Sequence, residues 1–243
     1  MTAFAPDLLH KTISWKDLDE PRAREMSRRL PRFLLSWRLR GCQLAVNGVL
    51  RKRLYLRAHK MWEYARGLAY SEPGTGMNVL DFGGAATLPV FYLAARGARL
   101  KCLDVDPQLS HYTNETAHGR GLALEASTTD VTRAPFPPGW GPFDRVYSFC
   151  VIEHLEKPAQ LQAMRLLAER LKPGGRLILT FDYGLDAPEG GALRDPAEVA
   201  RLVEASGLRL TGSGRFCDTG ERFVLNKRHP DRRFTFGSLF LEK

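Results

Sequence analysis

No two of the four cysteines, Cys42, Cys102, Cys150 and Cys217, are spaced as Cys-x-x-Cys. Zinc-ribbon spacing and the density of a disulfide framework are both missing. Cys102 and Cys150 stand in apolar, strand-like runs and read as small buried hydrophobes. The chain also lacks an apolar run of about 18 residues, which excludes a helix spanning a bilayer. Met1 to Trp15 is interrupted by Asp7, His10 and Lys11, so it contains no apolar core of a leader peptide. These absences point to a reducing, cytoplasmic setting. Internal repeats and long low-complexity tracts are missing too.

What remains is a chain of 243 residues with an ordinary 44% apolar fraction, enough for one large α/β domain or one domain with an extension. Its charge is unevenly placed. Residues 1–70 hold 15 Lys and Arg against 6 Asp and Glu, and so carry the whole net charge of +9. Residues 71–243 are balanced. A basic N-terminal module on a neutral core follows. Residues 1–70 read as helical, with Leu30, Phe33, Leu34 and Trp37, then Leu44, Val46, Val49 and Leu50, at helix-like spacing between arginines. Arg51-Lys52-Arg53 and Arg57 extend the basic face. Ser71 to Gly76 has the composition of a linker. The expected division is a basic helical cap over 1–70 and a ligand-binding domain over 71–243.

From Met77 onward, strand-length apolar runs alternate with helical segments. The runs are Asn78–Phe82, Leu100–Leu103, Leu122–Ala126, Phe143–Phe149 and Arg176–Phe181. The helical segments are Leu88–Arg96, Gln108–Arg120 and Pro158–Leu171. Such alternation predicts a mostly parallel sheet covered on both faces, with its ligand cleft at the carboxyl ends of the strands. The end departs from this rhythm. A short helix over Glu198–Ser206 and a strand at Leu208–Leu210 precede a polar loop and a last strand at Phe234–Leu241, predicting an antiparallel hairpin at the sheet edge.

The most informative stretch is Val79-Leu-Asp81-Phe-Gly83-Gly84-Ala85-Ala86-Thr87-Leu88. An apolar strand runs into an acidic residue, a glycine turn and a helix start. Glycine permits close backbone approach and positive φ, and the helix N-terminus offers unpaired N–H groups. Asp104 closes the second apolar run, which completes the layout of a nucleoside site on a βαβ unit. A turn role is the alternative for Asp104, beside Asp106 and Pro107.

With these residues the chain resembles the class I S-adenosylmethionine-dependent methyltransferases from about Met77 to the C-terminus. The family turn reads acidic-x-Gly-x-Gly-x-Gly. Here Gly83 keeps the first glycine, while Ala85 and Thr87 replace the next two. Leu171-Lys172-Pro173-Gly174-Gly175, read as a turn, Phe143-Asp144 and Glu153-His154-Leu155 also match. The resemblance implies a Rossmann-like seven-stranded sheet with an antiparallel C-terminal hairpin, and S-adenosyl-L-methionine as cofactor. It implies that the backbone of Gly83, Gly84 and Ala85 passes under the methionine part, with Asp81 orienting the turn and reaching the amino group. It places Asp104 on the ribose hydroxyls, Val105 on the adenine, Asp130 and the Val131 N–H on the adenine edge, and Cys150 beside the sulfonium. Asp130 reads alternatively as a cap or turn residue.

Methyl transfer from a sulfonium needs alignment and exclusion of water, and a hydroxyl or amine acceptor also needs a base. His154 and Glu153 are the candidate catalytic residues, His154 because imidazole titrates near neutrality. A capping role is the alternative. Asp182 and Tyr183 are expected to face the acceptor, with 184–191 and 213–233 bordering it. Trp62-Glu63-Tyr64 resembles a segment that closes over the cofactor, with core packing as the alternative. The Asn/Asp-Pro-Pro-Tyr/Phe motif of many amino-methylating nucleic-acid enzymes is replaced by Ser148-Phe149-Cys150-Val151. A metal triad is not evident, which disfavours a catechol-type metal-dependent reaction. Three functions stay open: methylation of a small hydroxyl or amine acceptor (a sugar, lipid-linked or natural-product molecule), methylation of RNA or protein through the basic module, and cofactor binding without catalysis. Nucleic acid is not the favoured partner, and basic residues among Leu and Trp would equally suit an anionic membrane surface.

Overall fold

The computed structural model describes residues 9–52, 56–212, 214–225 and 229–243. The N-terminal segment holds strand β1 (Lys11–Thr12), a 3₁₀ turn (Trp15–Asp19), helix α1 (Pro21–Leu39), strands β2 (Leu44–Val46) and β3 (Val49–Arg51), and helix α2 (Ala58–Ala69). The prediction of an all-helical 1–70 is therefore corrected at two places. Asn47 and Gly48 have φ of 50° and 71°, the left-handed pair that closes a two-residue hairpin between β2 and β3. Lys11 and Thr12 pair antiparallel with Ser238 and Gly237. Arg53 and Ser213 lie outside the described residues.

α1 forms where the sequence predicts an amphipathic helix. Pro21 opens it, and Ala23, Met26, Leu30, Leu34 and Trp37 bury one stripe while arginines line the other face. Trp37 lies 4.9 Å from Phe91 and 5.2 Å from Phe33, ring to ring. That stripe belongs to the same apolar cluster as Val79, Val90, Phe91 and Leu93, so the N-terminal segment and the sheet share a core.

The chain continues through β4 (Asn78–Phe82), α3 (Leu88–Ala95), β5 (Arg99–Asp104), α4 (Pro107–Arg120), β6 (Leu124–Thr128), β7 (Phe143–Phe149), α5 (Lys157–Glu169), β8 (Leu171–Tyr183), α6 (Pro196–Ser206), β9 (Arg209–Leu210) and β10 (Thr235–Glu242). The main sheet runs β1-β10-β8-β7-β4-β5-β6, with β9 also on β10. β4 to β8 pair in parallel, and β10 lies antiparallel to β8, β9 and β1. The seven expected strands are present, and β1 adds an eighth at the edge shared with β9. Strand order reverses between β4 and β7, and a crevice at their carboxyl ends is where such sheets bind ligands.

Lys172 to Gly175, predicted as a turn before the fifth strand, is instead a bulge inside β8. Phe143 pairs with Leu171 and Arg145 with Arg176, so the intervening glycine-rich residues loop out. The Gly174 N–H donates to the Lys243 carbonyl (3.0 Å), which ties the C-terminus to this bulge.

A buried polar network holds α2 against the sheet edge. Asp17 accepts from Lys11 Nζ (2.6 Å), Trp62 Nε1 (2.8 Å) and the Ser14 N–H (3.1 Å). Arg66, fully buried, donates to the Leu9 carbonyl (3.0 Å) and to Ser238 Oγ (3.3 Å), with Nη1 3.9 Å from Asp17. Burial of that guanidinium pushes its pKa down.

Candidate active site

β4 ends at Phe82, and Gly83 turns the chain with φ of 82°. A side chain there would meet Val151 Cγ1 at 2.5 Å, and one at Gly84 would meet the Asp81 carboxylate. Both glycines are required by close approach. The Gly83 N–H donates to the Leu103 carbonyl (2.7 Å) and the Ala86 N–H to Thr113 Oγ1 (2.8 Å). Ala86 returns its carbonyl to the Ala45 N–H (2.8 Å), so the β2–β3 hairpin is anchored on this turn.

Asp104 stands at the end of β5 and faces the turn. Its Oδ2 accepts from the Ala85 N–H (2.9 Å) and its Oδ1 from the Asp106 N–H (3.0 Å). Asp106 is otherwise engaged: its side chain caps α4 by accepting from the Gln108 and Leu109 N–H groups (2.8 and 3.1 Å). Val105 is an exposed apolar residue, 69% accessible, beside Asp104. Asp81 is buried behind the turn. Burial, and then the charge of Asp104, push its carboxyl up to about 7. Burial likewise raises Asp104.

After β6, Asp130 Oδ1 accepts from the Thr132 N–H (3.0 Å) and Oγ1 (2.6 Å), closing a turn, and Oδ2 lies 3.4 Å from Arg133. Val131 is buried in the core beside it.

At the ends of β7 and β8 a second set of groups converges. Cys150 has φ of 53°, and its N–H donates to the Thr180 carbonyl (3.0 Å) and Oγ1 (3.2 Å). Its thiol donates to Glu63 Oε2 (2.7 Å), which also accepts from Thr180 Oγ1 (2.8 Å). Lys60 Nζ is 3.1 Å from Glu63 Oε1. Glu63 thus reaches the strand ends from α2, while its neighbour Trp62 turns the other way, into a cluster with Ile13, Phe234 and Phe236. Tyr64 sets its ring edge-on to Phe149, 5.4 Å away. Within Trp62-Glu63-Tyr64, the first residue therefore packs in the core and the second meets the carboxyl ends of β7 and β8.

Glu153 and His154 separate. Glu153 is 1% exposed, and burial and then the Asp182 carboxylate push its carboxyl up to about 8. Asp182, also buried, is pushed up to about 7, first by burial and then by Glu63. His154 lies exposed, with Nδ1 3.2 Å from Glu189 in the 184–191 loop. Adjacent residues on a 3₁₀ turn point apart, which divides the predicted catalytic pair. The expectation that Asp182 and Tyr183 both face the acceptor is corrected by strand alternation. Tyr183 instead packs on Phe216 (5.3 Å) under the Arg222 guanidinium (5.3 Å). Lys60 and Thr180 escaped the sequence reading. The i, i+3 spacing of Lys60 to Glu63 was a legible ion-pair signal, whereas nothing local marks Thr180.

The methyltransferase domain family matches residues 80–179. No curated protein matches the chain in sequence. Among solved structures, the [4+2]-cyclase SpnF is similar at TM-score 0.57 and 16% identity, over 76% of this chain and 81% of that one. A SAM-dependent methyltransferase from Aquifex aeolicus is similar at TM-score 0.53 and 19% identity, over 74% and 89%. The mycolic acid cyclopropane synthase CmaA1, solved with SAH, is similar at TM-score 0.57 and 11% identity, over 76% and 84%. At these identities the likeness is one of fold, and the chemistry must be argued from the site.

Proposed function

We propose that this chain, which carries a methyltransferase domain of the class I S-adenosylmethionine-dependent family, transfers a methyl group from S-adenosyl-L-methionine to a hydroxyl or amine of a small molecule, of sugar, lipid-linked or natural-product type. The observation that carries the reading is Asp104 at the end of β5, turned toward the Gly83–Ala85 backbone at the reversal of strand order. Each of its oxygens accepts one backbone N–H and keeps a further lone pair, so two vicinal ribose hydroxyls have one acceptor each. The exposed side chain of Val105 offers an apolar face for adenine. Asp130, through its Oδ2, and the Val131 N–H supply the adenine edge. Gly83, Gly84 and Ala85 run under the methionine part, with Asp81 behind them and Cys150 beside the sulfonium. Residues 1–70 act as a cap, bringing Glu63 across the cleft.

The cofactor supplies an electrophilic methyl group and a neutral leaving thioether. The chain's own residues then have three tasks: to align the acceptor, to exclude water and to take a proton. Glu153 and Asp182 suit the last task because burial holds one of them protonated near neutrality while its neighbour can accept. His154, paired with Glu189 at the cleft's outer rim, is the second candidate base.

The test is transfer of isotope-labelled methyl from the cofactor to a panel of sugars, amines and lipid-linked alcohols, run beside total RNA and a protein mixture. Label in a small molecule, lost in Asp104→Ala, supports the proposal. Label in RNA or protein alone, or cofactor binding without transfer to any member of the panel, overturns it in favour of the basic-module or non-catalytic reading.

A further inference from the structure

Three donor side chains meet where β7 and β8 end. Cys150 Sγ, a carboxylate oxygen of Glu153 and a carboxylate oxygen of Asp182 all lie within 4.8 Å of one another. They come from three places in the fold: the left-handed residue after β7, the 3₁₀ turn Ile152–His154 and the end of strand β8. Two of the three are buried, and Cys150 is half-buried. Glu153 Oε2 is sealed from solvent and has no hydrogen-bond partner among the described residues. A buried carboxylate oxygen without a donor is costly, and it is relieved either by a proton or by a cation.

The nearby ammonium does not supply that cation. Lys60 is held by Glu63 at 3.1 Å, and Glu63 in turn satisfies the Thr180 hydroxyl and the Cys150 thiol. Lys60 pairs directly with Glu63 and reaches Glu153 and Asp182 only from farther off, with Arg194 also acting on Asp182, so one ammonium is shared among three carboxylates. We propose that Cys150, Glu153 and Asp182 form a binding site for a divalent cation of the zinc class. A mixed sulfur and oxygen donor set favours such an ion over magnesium or calcium, which take oxygen alone. Three protein ligands leave a fourth position open to water or to an oxygen or nitrogen of a bound acceptor. Binding converts the thiol to a sulfur–metal bond and releases its proton, for which Glu63 Oε2, 2.7 Å from Sγ, is the first acceptor on the way to solvent, and the proton that burial keeps on the Glu153 and Asp182 pair leaves as well.

The site does not depend on methyl transfer, so its test does not use turnover. The metal-stripped full chain is titrated with Zn²⁺ by calorimetry and with Co²⁺ by absorbance, where a thiolate ligand gives a sulfur-to-cobalt band in the near ultraviolet. The expected result is one saturating equivalent carrying that band. Cys150→Ser removes the band while circular dichroism stays native, and Glu153→Gln and Asp182→Asn each weaken binding by on the order of 100-fold. Cys217→Ser, at an exposed cysteine, leaves the titration unchanged. Absence of saturable binding, or a band that survives Cys150→Ser, overturns the proposal. S-adenosylhomocysteine binding measured on the same samples separates this failure from failure of the methyltransferase reading.

Discussion

Asp17→Asn isolates the buried charge network that fixes α2. The carboxylate side chain is 4% exposed, that of Lys11 is 9% exposed and that of Arg66 is fully buried. Asparagine keeps the shape and one acceptor but removes the carboxylate that lies 2.6 Å from Lys11 and 3.9 Å from Arg66. Breaking a buried pair by removing one partner costs about 3–5 kcal/mol, and the retained acceptor puts the expectation near the lower end, about 3 kcal/mol. For a chain of this size that is a fall in Tm of about 6–12 °C. Asp19→Asn is the internal control. Its ion pair with Arg24 is 3.4 Å long between side chains 76% and 49% exposed, and should contribute less than about 0.5 kcal/mol. Urea unfolding of wild type and both variants checks the difference. Equal losses in the two variants, or a loss below about 1 kcal/mol for Asp17→Asn, would refute the claim that this network anchors the helix carrying Lys60 and Glu63.

Three further outcomes are expected. Gly83→Ala should destabilise by more than Gly121→Ala: both positions are left-handed, at about 1–2 kcal/mol each, but only the Gly83 methyl strikes Val151; paired thermal melts compare them. Asp81→Asn should raise Tm at pH 8 with the gain gone by pH 4. The native carboxyl holds its proton to about pH 7 while the unfolded one loses it near 3.8, so ionisation favours unfolding across that window. Asp218 behaves oppositely. The Arg222 guanidinium (2.6 and 2.9 Å) holds its carboxyl down at about 2. The stability it adds, about 1 kcal/mol after solvent screening, is present above pH 4 and fades as pH falls toward 2. Denaturant midpoints of Asp218→Asn and wild type should therefore converge in that range.

The strand and helix rhythm from Met77 onward was legible because doubly covered strands are near-continuous apolar runs and the helices between them carry their own caps, such as Asp106-Pro107 and Asp195-Pro196. β1 was not legible, since two residues carry no period and only their pairing with β10 makes them a strand. The β2–β3 hairpin was legible in principle. Asn47-Gly48 is a strong hairpin signal, overridden in the reading by the helix-like spacing of the leucines and valines around it. In the site, Asp104, Asp81 and the glycine turn could be placed because strand ends are set by local pattern. The convergence of Glu63, Cys150, Glu153, Thr180 and Asp182 could not. It joins four segments through sheet order and helix docking, and it is this tertiary step that sends Glu153 inward and His154 outward.

The central claim is a nucleoside cofactor held by Asp104 over the glycine turn. Calorimetric titration of S-adenosylhomocysteine into wild type and Asp104→Ala tests it most directly. Saturable one-to-one binding by wild type that collapses in a folded Asp104→Ala is the predicted result. A folded wild type that takes up no ligand, or an Asp104→Ala that binds as tightly as wild type, would contradict it.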